Sequence, residues 1–154
     1  MSDSKAMTAD ELARACADAM WADDMASQGL GLVIDDVGPG RSVLSMTVRT
    51  DMVNGHRICH GGFIFTLADS AFAFACNSYN QYVVAQHCAV TFIAPAYEGD
   101  RLTATAQEVT RYGRSGIYDI KVSRDDGAAI AEFRGQSRSV KGTHLPEEDI
   151  ALKA

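Results

Sequence analysis

The longest apolar stretch of the chain runs from His60 to Ser78, in the middle of the sequence. After the Gly61–Gly62 pair it contains no proline and no further glycine, which predicts a helix of roughly 25 Å. A surface helix shows one polar face. This segment shows none, so we expect it to be buried on all sides. A single charged side chain, Asp69, lies at its centre. Burying a carboxylate without a partner is costly, so Asp69 is a candidate functional group.

The patterns on either side of this stretch predict one further helix and six strands. Thr8 with Glu11 three positions later matches a capping box, and apolar residues then recur at helical spacing as far as Asp23 or Met25. Residues 27–29 are expected to stop that helix. Turn-forming residues separate the strand-like segments. These segments are 30–37, 41–50, 83–94, 102–112, 116–124 and 128–140.

The order of the elements is helix, two strands, buried helix and four strands. It predicts an α+β domain in which an antiparallel sheet curls around the central helix. One small sheet cannot easily enclose such a helix, so we expect a second subunit to complete the enclosure. Residues 1–142 are expected to form a single domain, and residues 143–154 a polar, loosely ordered tail.

Composition narrows the classes of function. With 47% apolar residues, 22% charged residues and a net charge of −6, the chain is typical of a soluble globular protein and lacks the basic excess of a nucleic-acid-binding protein. The N-terminus lacks the apolar segment of a secretory signal, and the central stretch is too short to span a membrane. A cytoplasmic protein without nucleic-acid or membrane partners is expected. The cysteines lack metal-ligand spacing, which favours buried free thiols and predicts no metal or cofactor: Cys16, Cys59, Cys76 and Cys88.

The start of the central helix and its carboxylate suggest acyl chemistry. Backbone N–H groups at Gly61 and Gly62 are suited to hold the oxyanion that develops in acyl transfer, although a tight entry turn explains the same pair. Asp69 lies about 12 Å further along the helix, so one carbonyl cannot contact both within a chain. If two such helices ran antiparallel across a two-fold axis, Gly61 could approach the partner's carboxylate, which predicts a dimer with interfacial sites. A structural carboxylate held by neighbouring donors is the alternative for Asp69.

Other polar residues near the glycines have two interpretations each. Asn54 could orient a water or a substrate carbonyl, or it could cap its Asn-Gly turn. His60 could donate to the substrate, or it could hold the loop. Ser70, Cys76 and Ser78 have no G-x-S-x-G turn or His-Asp set nearby, which argues against a serine or cysteine nucleophile.

Basic residues concentrate in the last strands. The segment 111–115 combines charge, turn backbone and a hydroxyl, so it is a candidate phosphate-binding loop. Solvated strand ends are the alternative interpretation. The candidates are Arg111, Gly113, Arg114, Ser115 and Arg138.

Four short motifs resemble the signature of hotdog-fold acyl-CoA thioesterases, most closely the phenylacetate-degradation type. They are 54–56 (NGH), 60–62 (HGG), 67–69 (LAD) and 75–78 (ACNS), within a resemblance that covers roughly 30–142. The resemblance implies a long helix wrapped by an antiparallel sheet, two protomers sharing one continuous sheet, and often a dimer of dimers, hence a homotetramer. It also implies hydrolysis of acyl-CoA, with phenylacetyl-CoA and its hydroxylated relatives as substrates.

The resemblance further assigns roles to residues. It makes Asp69 the general base or nucleophile, and it makes the Gly61 amide of the facing subunit the group that binds the thioester oxygen. It gives Asn54 the task of positioning thioester or water. The family often places a Ser or Thr in the strand after the helix to hold the water. Residues 85–87 read Ala-Gln-His here, so Gln86 is the candidate in its place.

Two other functions compete with hydrolysis. An acyl-thioester hydratase or dehydratase needs a catalytic His with an acidic partner, whereas here the acid lies midway along the helix and the histidines precede it. A non-catalytic acyl-CoA-binding protein is the third interpretation. An aromatic acyl pocket is suggested by four residues that could equally be core or interface: Phe65, Phe72, Tyr79 and Tyr82.

Overall fold

A six-stranded antiparallel sheet wraps one long helix in the computed structural model, which describes residues 6–150. The α+β arrangement predicted from the sequence is therefore confirmed. Residues 1–5 and 151–154 lie outside the described residues. The first of these segments is part of the N-terminus in which we expected no secretory signal, and the second is part of the tail that we expected to be loosely ordered. The helices are α1 (Ala9–Asp23), α2 (Met25–Gly29) and α3 (Gly61–Cys76). The strands are β1 (Val33–Gly38), β2 (Arg41–Thr47), β3 (Val83–Phe92), β4 (Arg101–Tyr112), β5 (Ser115–Arg124) and β6 (Ala129–Ser139).

The sheet has the strand order β1-β2-β4-β5-β6-β3. Strand β3 follows α3 directly in the chain, yet it lies at the far edge of the sheet, where it pairs only with β6. Its pairing register shifts between Ala85 and His87, so Gln86 is the extra residue of a β-bulge. The outer backbone groups of β3 are therefore available to another strand.

Helix α3 packs most extensively against β2, β4 and β5. Phe72 is the largest side chain on this buried face, and its ring lies 5.5 Å from that of Tyr118 and 6.1 Å from that of Phe133. Gly135 on β6 lies directly against the Phe72 ring, because a Cβ placed there would be 2.7 Å from two ring carbons. Glycine at this position thus allows the strand to approach the helix closely.

The opposite face of α3 is only half covered. Phe65, Asp69 and Ala73 are half-buried, on the side of the helix that the β6–β3 half of the sheet covers less. A single chain therefore does not bury the helix on all sides, which agrees with the expectation that one small sheet cannot easily enclose it. The physical reason is that a sheet of six strands does not reach around the helix.

The N-terminal helices confirm one prediction and correct another. The Thr8 hydroxyl accepts from Glu11 N at 3.1 Å and the Glu11 carboxylate accepts from Thr8 N at 2.9 Å, which is the predicted capping box. Helix α1 ends at Asp23, within the predicted range, but residues 27–29 are not its stop signal, because they belong to α2. The Asp24 carboxylate accepts from Ser27 N at 2.9 Å and starts α2.

The segment beyond β6 is hydrogen-bonded, at residues 144 and 145, to the residues that follow α3. The Asn80 side chain accepts from Leu145 N at 2.8 Å and donates to Leu145 O at 3.1 Å, and His144 Nε2 lies 2.8 Å from Asn77 Oδ1. The prediction of a loosely ordered tail is therefore wrong for residues 143–145. Among residues 6–150, no helix has both the length and the hydropathy to cross a bilayer.

The close approach of Gly135 to Phe72 leads to a stability prediction. We expect Gly135→Ala to lower the free energy of unfolding by about 1–3 kcal/mol, because the added methyl overpacks the core. The same change should cost less in a Phe72→Leu background, since the smaller side chain relieves the contact. Denaturant unfolding of the four proteins measures this coupling. Gly55→Ala is the control, because no atom lies within 4 Å of its added Cβ. Equal costs in both backgrounds would contradict the prediction.

Candidate functional site

The first turn of α3 leaves one backbone donor without a partner. His60 is the N-cap residue, and its Nδ1 accepts from Gly62 N at 2.9 Å. Phe63 N donates to His60 O at 3.0 Å. Within residues 6–150, Gly61 N–H has no hydrogen-bond partner. The helix start therefore offers the Gly61 amide, and not that of Gly62, to a ligand.

An apolar cavity of about 680 Å³ opens beside this amide. The Phe92 ring closes one side, since its Cζ lies 2.9 Å from the position a Gly61 Cβ would take. Any larger residue at position 61 would have to displace that ring. Polar groups are few among the lining residues, which are Asn54, Ile58, Cys59, Gly61, Ile64 and residues 92–96.

The Asn54 side chain caps its turn, which is one of its two predicted roles, and its amino group is left for the other role. Its Oδ1 accepts from His56 N at 2.9 Å and, more weakly, from Ile58 N at 3.4 Å, so it caps the Asn-Gly turn. Its Nδ2 has no partner among residues 6–150. Asn54 can therefore act towards a ligand in the cavity only as a donor.

Asp69 has neither a hydrogen bond nor an ion pair within the described part of the chain. The structure therefore does not support the alternative of a carboxylate held by neighbouring donors. Burial raises the pKa of Asp69 above its ordinary value. Burial also raises the pKa of Cys76 to about 12 and that of Cys88, and the charge of Asp69 adds to both shifts. Because Cys88 is on β3, the carboxylate lies on the half-covered side of α3.

Gly61 and Asp69 do not meet within one chain. Both belong to α3, and eight residues of helix separate them by about 12 Å along the axis. A single protomer thus contains a donor site at the helix start and a carboxylate site at the helix centre.

The other nucleophile candidates have structural partners. Ser70 Oγ lies 2.9 Å from Ser27 Oγ, and this bond joins α3 to α2. Ser78 Oγ donates to Ala75 O at 2.7 Å and accepts from Gly40 N at 2.8 Å. All four cysteines are free, and the thiol of Cys76 is buried and donates to a helix carbonyl. These contacts agree with the absence of a serine or cysteine nucleophile.

The candidate phosphate-binding residues lie together at one end of the sheet, and some of them already contact other residues of the chain. The Arg111 guanidinium lies 3.6 Å above the Tyr79 ring. Arg114 donates to Ser139 O from Nε at 3.1 Å and from Nη2 at 2.9 Å. Arg138 is exposed and pairs in register with Ser115. Gly113 has a positive φ of 58° at the tip of the hairpin. Arg138 and Ser115 are thus the freer members of this group.

The four aromatic residues that suggested an acyl pocket do not line the cavity, and their contacts favour the alternative of core and structural roles. Phe65 packs against Phe133 at 5.3 Å, Phe72 is in the core, Tyr79 donates to Glu108 at 3.1 Å, and Tyr82 contacts His144 at 4.7 Å. The cavity uses three residues that the sequence reasoning missed: Ile58, Phe92 and Ile93. The sequence signal for Phe92 and Ile93 was an aromatic and an aliphatic residue just before Pro95, and half or more of each side chain is exposed.

Comparison with known proteins gives consistent matches. Residues 56–131 match the model of the thioesterase superfamily. The acyl-coenzyme A thioesterase PaaI of Escherichia coli is 43% identical over 127 residues, which are 82% of this chain and 91% of that protein. The structure of the E. coli PaaI protein from the phenylacetic acid degradation operon has a TM-score of 0.86 at 42% identity, over 87% of this chain and 97% of that one. A mutant of the phenylacetic acid degradation protein PaaI from Thermus thermophilus gives 0.72 at 35% identity, over 74% and 97%. These similarities confirm the hotdog fold.

Because Asp69 has no partner among residues 6–150, we expect that replacing its carboxylate stabilises the folded protein. The folded chain binds the Asp69 proton more tightly than the unfolded chain, because the folded-state pKa is raised. The charged form therefore costs stability at neutral pH, and that cost disappears as the pH falls below the ordinary value for aspartate. Asp69→Asn should melt at a higher temperature than the wild type at pH 7, with the difference shrinking towards pH 4. Calorimetry across this range tests it. A variant that melts lower at pH 7 would show a stabilising partner for the carboxylate.

Proposed function

The chain belongs to the thioesterase superfamily, and on that premise we propose that it hydrolyses acyl-CoA thioesters of the arylacetyl type to a free acid and CoA. The observation that carries the proposal is that one helix holds both a carboxylate, Asp69, and an amide, Gly61, that have no partner among residues 6–150. The E. coli relative is named an acyl-CoA thioesterase, and two solved relatives are named for phenylacetic acid degradation. Phenylacetyl-CoA and hydroxyphenylacetyl-CoA are accordingly the proposed substrates.

The proposed active unit is a dimer formed through β3. This strand has a free edge, and the adjoining side of α3 is half covered, so an antiparallel β3–β3 pair would extend the sheet and cover the helix. A two-fold axis across the middle of β3 places the Phe92 end of one strand beside the Val83 end of the other. The two α3 helices then run antiparallel, and Gly61 of each moves towards the partner's carboxylate. A dimer of dimers in the cytoplasm is the proposed assembly and location.

Asp69 is the proposed base. Its raised pKa makes it a stronger base than an ordinary carboxylate, and it would take a proton from a water that attacks the thioester carbonyl. The facing subunit's helix start would supply Gly61 N–H to the developing oxyanion and Asn54 Nδ2 to the carbonyl or the water. Collapse of the tetrahedral intermediate expels the CoA thiolate, which needs little acid assistance because thiols ionise near pH 8.5. Direct attack by Asp69 to give an anhydride is the alternative route.

The substrate would extend in two directions from the thioester. The acyl group fits the apolar cavity at the helix start, where Phe92 offers an aromatic surface to an aryl ring. The two-fold axis brings the partner's hairpin to that end of the protomer. Arg138 and Ser115, with the outer faces of Arg111 and Arg114, are the proposed contacts for the CoA phosphates. Gln86, at the exposed bulge of β3, is the proposed contact for the attacking water.

Release of CoA from a panel of acyl-CoAs tests the reaction. We expect hydrolysis of phenylacetyl-CoA and hydroxyphenylacetyl-CoA, and a fall of about 10²- to 10⁴-fold in kcat for Asp69→Asn, because the base is lost. Short- and long-chain acyl-CoAs test selectivity, and sedimentation of the variant controls for assembly. Unchanged activity in the variant would exclude Asp69 as the base. Hydration of an enoyl-CoA without CoA release would favour a hydratase, and tight binding without turnover a binding protein.

The assembly is tested by a pair of matched valines. Val84 on β3 and Val109 on the interior strand β4 are 50% and 52% exposed. Val84→Asp should dissociate the dimer and abolish activity, because it places a charge at the proposed interface and separates the two halves of each site. Val109→Asp should leave the dimer intact. Analytical ultracentrifugation gives the oligomeric state of both and separates dimer from tetramer. A Val84→Asp protein that remains dimeric and active would exclude the β3 interface.

A further inference from the structure

Within residues 6–150, the three α-helices begin with different N-cap side chains. Thr8 caps α1 and Asp24 caps α2, which are two of the residue types that this position prefers. Helix α3 instead begins with His60, whose imidazole Nδ1 accepts from Gly62 N at 2.9 Å. Histidine is not among the preferred N-caps, so its use at the one helix start that adjoins the cavity needs a separate explanation.

A neutral ring and a carboxylate would cap this helix with different electrostatic consequences. Both accept a backbone N–H, but an aspartate would place a full negative charge next to the amide that must bind an oxyanion. The neutral imidazole satisfies Gly62 N–H and leaves the positive end of the helix dipole uncompensated. The bond also fixes the tautomer, because Nδ1 is the acceptor and Nε2 carries the proton.

We infer that His60 is a positioning residue, which takes up the Gly62 amide so that Gly61 N–H remains the oriented backbone donor of the helix start for the thioester oxygen. This inference rests on the proposed thioesterase function. The His60 peptide is itself anchored, because its N–H donates to Met52 O at 2.8 Å. The Phe63 ring meets the imidazole edge-on at 6.1 Å. The Gly61 amide is thus oriented by neighbours on both sides of the chain, with the Phe92 ring against its Cα.

Three substitutions separate the capping role from other roles. His60→Asn keeps a neutral capping acceptor but removes the ring, His60→Ala removes both, and His60→Asp keeps the cap and adds a charge. We expect kcat for phenylacetyl-CoA within about threefold of wild type for His60→Asn, because asparagine is among the best N-caps. For His60→Ala we expect a loss of about 10- to 100-fold, with KM changed little, because the donor is misaligned. His60→Asp should be slower than His60→Asn.

A further readout reports on the cap itself. Hydrogen exchange of the Gly62 amide should be about tenfold faster in His60→Ala and unchanged in His60→Asn, as expected for loss and retention of one cap.

Several outcomes would overturn the inference. A His60→Asn enzyme as slow as His60→Ala would show that the ring itself is required, and a His60→Ala enzyme as fast as wild type would show that the cap has no effect on the reaction. Wild-type protein without any thioesterase activity would instead refute the proposed function. In that case Gly62 hydrogen exchange still tests whether His60 orders the helix start.

Discussion

Covering helix α3 is the requirement on which the rest of the structure depends. The helix is apolar along its length, and each square ångström of apolar surface left in water costs about 25 cal/mol. The sheet covers the side that faces β2, β4 and β5, but its last strand ends before the other side is enclosed. That half-covered side carries Asp69. The incomplete enclosure therefore supports the proposed second subunit, and it leaves half-covered a carboxylate that no group among residues 6–150 neutralises.

The start of the same helix shows how few polar groups an apolar site needs. Of the first three amides, Gly62 and Phe63 are bonded to His60, and Gly61 alone has no partner among residues 6–150. Asn54 uses its oxygen within its own turn and keeps its amino group for the cavity. A donor in such surroundings interacts more strongly with developing charge than it would in water, because the local dielectric is low. Removing competing donors is thus as important as supplying one.

Much of the fold was predictable because it follows from local patterns. All six strands and the main helices lie close to their predicted positions, and the capping box at Thr8 was correct, since each depends on neighbouring residues. The errors came where side chains act at a distance. Residues 27–29 extend a helix because Asp24 caps it, and the tail is held by Asn80. The bonds from Arg114 to a carbonyl of β6 were also outside what the sequence could show, because it did not reveal the position of that strand.

The sequence by itself determined that this protein has one buried helix with a glycine pair at its start and a carboxylate at its centre. Those features follow from residue type and spacing, and so does the conclusion that Gly61 and Asp69 cannot serve one carbonyl within a chain. Only the tertiary structure decided which amide of the described helix start is free, which residues form the cavity and which strands lie at the edges of the sheet. Phe92 reaches Gly61 because the strand after the helix crosses to the far edge of the sheet, and residue patterns encode strands but not their order.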